Sequence, residues 1–145
     1  MLRQLSLFLE NRPGQLRAPC EALGKAGIDI LTMSLADTAQ FGILRLLVRD
    51  WSRAKEVLEA AGSVVNVAEV VPIEVDDRPG GLAAALAAIE EAGLGVEYMY
   101  AFAAGPSPGK AAIVFRFEHP ERAVEAVKAR GLKVLDADEL LAKKM

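Results

Sequence analysis

Asn11-Arg12-Pro13-Gly14-Gln15-Leu16 returns sixty-six residues later as Asp77-Arg78-Pro79-Gly80-Gly81-Leu82. The match continues in step: Ala18 with Ala84, Ala22 with Ala88, Ala26-Gly27 with Ala92-Gly93, and Met33 with Met99. Farther on, Ala54–Gly62 matches Ala123–Gly131 at a spacing three residues longer. The extra residues fall in the turn-rich stretch Gly105–Gly109, where an insertion costs little. Chance likeness between alanine-rich helices does not keep Arg-Pro-Gly-x-Leu in register with a downstream Ala-Gly and Met, so the chain reads as an internal duplication. Two domains follow, 1–69 and 70–145. No linker rich in Gly, Ser or Pro separates them. Val64–Val75 is a nearly continuous run of strand formers, so one half runs straight into the other.

Each half reads strand, helix, strand, strand, helix, strand. Leu5, Leu7 and Leu9 alternate with Ser6, Phe8 and Glu10, a period-2 strand. Pro13 sits where a first helical turn tolerates a missing N–H, with Asn11 just upstream in the capping region. Leu16, Cys20, Leu23 and Gly27 predict one inward helix face, closed by Gly27. Ile28–Ala36 and Ile43–Val48 read as strands joined through Asp37–Gly42, and Ala54–Ala61 as a second helix ended by Gly62. The second half repeats this with a strand to Val75 and a helix turning Leu82, Leu86 and Ile89 inward. Strands near Val96–Phe102 and Ala112–Phe117, a helix over Ala123–Arg130 and a short strand at Lys133–Leu135 follow. Asp136–Lys143 reads as a final short helix capped by Asp136 or Asp138. The order βαββαβ gives an α+β fold, two ferredoxin-like sandwiches in tandem, each with two helices over one face of an antiparallel sheet.

Composition narrows the function classes. The chain has 145 residues, 52% hydrophobic against 26% charged, and a mean hydropathy of +0.24. That is enough apolar material for a core and excludes disorder for the body of the chain. A net charge of -3 and a pI near 5.3 argue against a basic nucleic-acid footprint. Cys20 stands alone, which excludes an intrachain disulfide and a multi-cysteine metal site. No apolar run reaches the roughly 18 residues of a membrane span. Met1–Glu10 carries a charge within its apolar stretch and no small-residue cleavage site, so it reads as a strand rather than a signal peptide. A cytoplasmic protein with no membrane contact is the expectation.

The repeated turn holds the specific chemistry. A helix N-terminus leaves N–H groups unpaired and adds partial positive charge, which suits a carboxylate. Gly14 carries no side chain, so a small ligand can approach the backbone of Gly14, Gln15 and Leu16. Asn11 offers both a donor and an acceptor, matching a zwitterion. Asp77 is acceptor-only when ionised and would repel a carboxylate, so the two copies need not be equivalent. The plainer alternative makes Asn11 and Asp77 ordinary helix caps and Pro-Gly a turn former. Arg12 and Arg78 either assist an anionic ligand or are solvated beside a turn.

These residues also carry a resemblance. Each half resembles an ACT domain, the small ligand-binding module attached to many enzymes of amino-acid metabolism. Glu10–Leu16 closely resembles the serine-binding loop in the regulatory domain of phosphoglycerate dehydrogenase, as do Ala26-Gly27-Ile28-Asp29-Ile30 and Ala39-Gln40-Phe41-Gly42. Asp77–Leu82 followed by Ala92–Val96 is similar to the general ACT pattern. The resemblance implies a sensor of an amino acid or similar small carboxylate, with sites where two ACT domains pair. There the loop after the first strand of one domain faces the second strand of its neighbour. Carried over by position, the loops are Asn11, Arg12, Pro13, Gly14, Gln15 and Leu16, and Asp77, Arg78, Pro79, Gly80, Gly81 and Leu82. The facing strand starts are Ile28, Asp29 and Ile30, and Leu94, Gly95 and Val96. Gly95 stands where the first copy has Asp29, a departure that sets the second copy apart. A homodimer, allosteric regulation of a separately encoded metabolic enzyme, and no cofactor are implied.

Other residues read more plainly. His119 is the single histidine and lies beside Pro120, without the partners a triad or metal cluster needs, so a solvated cap position is expected. Cys20 on an inward helix face reads as an ordinary buried thiol, and Trp51 as a half-buried anchor. Tyr98, Tyr100 and Phe102 alternate along one strand and share a face, either a sheet contact or a pocket wall. No nucleophile with a base, phosphate loop or dinucleotide fingerprint occurs, so catalysis is not expected. The rival reading is a protein-interaction subunit whose ACT-like halves bind no ligand. A ferredoxin-like RNA binder would need a basic, aromatic strand motif that is missing.

Overall fold

Alternation decides the strands and glycine ends the helices. The computed structural model describes residues 1–37, 40–102 and 105–141. It divides into two compact units, Arg3–Ala68 and Glu69–Met145 with Met1–Leu2.

In the first unit, β1 (Leu2–Glu10) is followed by α1 (Arg17–Lys25), β2 (Ile30–Asp37), β3 (Phe41–Val48) and α2 (Trp51–Ala60), and then by the start of β4 (Val65–Asp76). β3 pairs antiparallel with both β1 and β2, and the strand order is β2-β3-β1-β4. Leu5, Leu7 and Leu9 face Leu44, Leu46 and Val48 on one side of the sheet, where Leu23 of α1 and Ala54 and Leu58 of α2 cover them. Each fully buried leucine here contributes about 2 kcal/mol of transfer free energy. Trp51 is half-buried against this core, and the Arg3 guanidinium lies 4.9 Å from the centre of its ring.

In the second unit, the remainder of β4 is followed by α3 (Gly81–Glu91), β5 (Val96–Ala101), β6 (Lys110–Phe117), α4 (Pro120–Ala129) and α5 (Ala137–Leu141). β6 pairs antiparallel with β4 and β5. Val71, Ile73 and Val75 of β4 pack with Ile113, Phe115 and Phe117 of β6, under Ala85 and Ile89 of α3 and Ala123 and Val127 of α4. Lys133–Leu135 adds to the free side of β4 as a single bridge, Val134 opposite Ile73. Around it, Glu74 N–H donates to Lys133 O at 2.9 Å and Leu135 N–H to Pro72 O at 2.9 Å. Tyr98 stands opposite Arg116 and Tyr100 opposite Val114, and Phe102 N–H donates to Ala112 O. The three aromatic side chains therefore share the face turned away from Phe115, as their spacing predicts. Both units have the expected α+β, ferredoxin-like order, with one strand serving as the last of the first copy and the first of the second.

Among the described residues, the four long helices end alike. At Gly27, Gly62, Gly93 and Gly131, each at positive φ, the glycine N–H bonds back three residues. The following N–H bonds back five, to Leu23, Leu58, Ile89 and Val127. This double closure satisfies the last carbonyls and needs a left-handed residue. An arginine then ties each helix pair: Arg53 donates to Ala26 O at 2.6 Å, and Arg130 to Glu91 O at 2.9 Å.

The inward face of α1 differs from the sequence expectation. Leu16 is exposed and Cys20 only half-buried, so Pro19 and Leu23 carry the inward face of α1. α5 is capped by Asp136, one of the two expected caps, whose Oδ1 accepts from Glu139 N–H at 2.8 Å. Glu139 Oε1 in turn accepts from Asp136 N–H at 3.2 Å, a reciprocal capping box. Thr38 and Ala39 of the expected turn and Ala142 and Lys143 of the expected last helix lie outside the described residues.

Candidate functional site

The repeated motif is a turn before a helix, not the first turn of one. In the first copy Gln15 N–H donates to Arg12 O at 3.2 Å and Gly14 has φ +89. In the second, Gly81 N–H donates to Arg78 O at 2.9 Å and Gly80 has φ +86. Proline second and a left-handed glycine third is the type II arrangement. The first helical bonds run from Ala18 to Gly14 O and from Ala84 to Gly80 O. Pro13, Pro79, Asn11 and Asp77 thus precede the helices, and neither Asn11 nor Asp77 stands at a cap position. Leu16 and Gly80 occupy the cap positions without a side-chain bond. Asn11 and Asp77 are instead held through the backbone: Asn11 N–H donates to Gln40 O at 3.0 Å and Asp77 N–H to Gly109 O at 2.9 Å. Each loop is pinned to the hairpin beside it.

That pinning forms a cleft in the first copy. Glu10 lies opposite Phe41 and Leu9 opposite Gly42, while Leu35 of β2 lies opposite Leu44. Leu9, Glu10, Asn11, Arg12, Leu16, Leu35 and Gly42 enclose about 90 Å³. Gly42 keeps the floor low, since a Cβ there would stand 3.3 Å from Leu35 Cδ1. At the rim Arg12 Nε and Glu10 Oε2 form an ion pair at 2.8 Å, both side chains more than half exposed. Leu16 and Leu35 are 39% and 48% exposed, unusual for leucines lining one cleft. Pro13, Gly14 and Gln15 shape the turn but do not line the walls. Leu9 and Leu35 belong to the cleft and are not among the residues expected from sequence, while Glu10 and Gly42 lie in the stretches that carry the resemblance. Cross-strand register placed Leu35 there, which a single strand does not reveal.

The expected strand starts lie elsewhere within the unit. Ile30 stands opposite Val48, whereas the loop begins where Glu10 stands opposite Phe41. Seven residues of strand separate these positions, about 23 Å along the sheet. Ile28, Asp29 and Ile30 are therefore at the opposite end from Asn11–Leu16. The second copy repeats this: Val96 is opposite Phe117 and Asp76 opposite Lys110. Leu94 and Gly95 instead line a cleft of about 80 Å³ with Phe117, Glu118, His119 and Arg122. His119 is the exposed residue before α4, without a capping side-chain bond.

Around the second loop the charges are locked together. Lys110 Nζ lies 2.5 Å from Asp76 Oδ1 and Arg78 3.3 Å from Asp76 Oδ2. The Lys110 hydrogen bond and charge, with help from Arg78, hold the Asp76 carboxyl below its ordinary value, and Asp76 in return raises Lys110. A cleft of about 370 Å³ opens on the side of β4 facing Arg130–Lys133, floored by Glu74–Asp76 and walled by Gly81, Ala84, Ala85 and Ala88. Of the second loop only Gly81 lines it. Lys133 and Glu139 pair at 2.8 Å at this edge, which raises the lysine and lowers the carboxyl. Among the described residues no group of three His, Cys, Asp or Glu side chains could hold a metal ion, and no helix is long and apolar enough to cross a membrane.

A solved protein of Bacteroides thetaiotaomicron superposes with a TM-score of 0.87 at 35% identity, covering 96% of this chain and 94% of that one. The regulatory subunit of aspartate kinase from Thermus thermophilus shares the fold at a TM-score of 0.65 and 18% identity, over 88% of this chain and 91% of that one. The same subunit from Thermus flavus gives 0.60 and 18%, over 88% and 90%. No curated protein matches the chain in sequence. The model of the ACT domain pair matches residues 1–145 in full, and with two βαββαβ copies built on one repeated turn, the chain belongs to the ACT domain pair family.

Proposed function

We propose that this chain is a regulatory protein that binds an amino acid or similar small carboxylate where ACT domains meet, and thereby controls a separately encoded metabolic enzyme. Its two domains are 1–69 and 70–145, and the assembly is a homodimer. One observation carries the reading. The first-copy loop forms a cleft with a cation and an anion at its rim, while Ile28–Ile30 sits at the far end of the same sheet. Each end of the sheet thus offers half of a site, which a neighbouring domain from a second copy of the chain would complete. Ligand capture there favours one arrangement of subunits over another, the differential affinity that regulation requires. The likeness of Glu10–Leu16 to the ligand loop of ACT domains supports an amino-acid ligand. No nucleophile–base pair is part of this reading, and neither a cofactor nor nucleic acid enters it.

A thermal-shift screen against the twenty amino acids and common 2-oxo acids tests it, with Asn11→Ala in parallel. Ligand at 100 times its Kd adds about 2.7 kcal/mol, a rise in Tm of roughly 5–10 °C for a chain of this size. A selective rise that Asn11→Ala abolishes is expected. Absence of any rise would overturn the sensor reading in favour of an interaction subunit that binds no small molecule.

A further inference from the structure

The cleft of the first copy is apolar where a ligand's side chain would rest and charged where its main-chain groups would lie. Leu9, Leu16, Leu35 and the bare Gly42 backbone form its floor and walls, with Glu10, Asn11 and Arg12 completing the lining. Leu16 and Leu35 are 39% and 48% exposed, so two large aliphatic groups face the same open space at a cost in hydration that burial against a ligand would recover. The Arg12–Glu10 contact runs through Nε, and the two terminal guanidinium nitrogens keep further donors in a planar fork suited to a carboxylate. Glu10 offers acceptors for an ammonium. The volume of about 90 Å³, at about 10–15 Å³ per water-sized atom, admits roughly six to nine such atoms. That is room for a small amino acid.

Resting on the amino-acid reading above, we propose that the first-copy site selects amino acids with branched aliphatic side chains, of the valine, leucine and isoleucine class. The side chain lies on Leu9, Leu16 and Leu35, the carboxylate on Arg12 and the ammonium on Glu10. Serine, aspartate and lysine would lay a hydroxyl or a charge on these leucine side chains and gain none of the apolar burial that a branched chain gains.

Titration calorimetry on the full chain with valine, leucine, isoleucine, serine, aspartate and lysine tests this. The three aliphatic amino acids should bind at least about tenfold more tightly than the others, as expected for several methylene groups moved out of water. Leu35→Gln, at an exposed position and of similar size, should weaken leucine binding about tenfold or more. Leu16→Gln serves as the second variant if the first fails to fold. Serine, aspartate or lysine binding as tightly as leucine would overturn the selectivity and leave the sensor reading standing. Unchanged leucine affinity in both variants would do the same. No heat with any amino acid would instead overturn the sensor reading and this inference with it.

Discussion

Gly81 shows how one residue can separate two copies of a motif. A Cβ at this position would overlap the carbonyl oxygen of Asp76, so α3 starts tight against the end of β4. Its counterpart sixty-six residues earlier is Gln15, a half-buried side chain in the same turn. Glycine at 81 is required by space rather than by a positive φ, which Gly80 already supplies. Gly81→Ala should therefore cost about 3 kcal/mol by overpacking against backbone that cannot swing aside. Gln15→Ala should stay within about 1 kcal/mol. Urea denaturation of the two variants checks the contrast, and equal effects would show that the second turn has more slack than its geometry implies.

At the scale of elements, the end of β4 and the start of β6 are joined by an ion pair as well as by the ladder, Asp76 lying opposite Lys110. The Lys110 bond and charge depress the Asp76 carboxyl below its ordinary value. A depressed carboxyl stabilises the folded state fully above its unfolded value, and that contribution disappears as the pH falls through the folded value. Stability should thus decline below about pH 4, and Lys110→Met should flatten this limb while leaving the profile near neutrality unchanged in shape. Thermal melts between about pH 2 and 7, at about one-unit steps, would read this directly. The strands that could be read from sequence were those whose alternation is strict, Leu5–Leu9 above all. The starts of α1 and α3 could not, because proline is as favourable at the second position of a turn as at the first of a helix, and only the hydrogen bonds tell the two apart. Lys133–Leu135 shrank to one bridge because its neighbours are already drawn into the turn after α4 and the cap of α5. For the site, sequence pointed to the loop that lines the cleft but not to Leu35, whose place depends on how β2 registers against β3.

At the scale of the whole molecule, the duplication gives each unit its own core at matching positions. Leu58 on α2 and Val127 on α4 correspond through the AKEVLEAAG and AVEAVKARG segments, and both are fully buried. Leu58→Ala should cost about 2–5 kcal/mol, and Val127→Ala about 1 kcal/mol less because fewer carbons are removed. Chemical denaturation of the pair measures this, and a larger loss at Val127 would mean that the second unit collapses less readily around a void. The loop duplicated in sequence is not duplicated in tolerance. Writing the second hexapeptide over the first would set glycine in place of Gln15, which the turn there accommodates. Writing the first over the second would force Gly81→Gln into the Asp76 carbonyl. Exchange between the copies is open in one direction only, so a repeat that began as a copy has become a ratchet, free to pass its sequence forward to the first half and unable to receive it back.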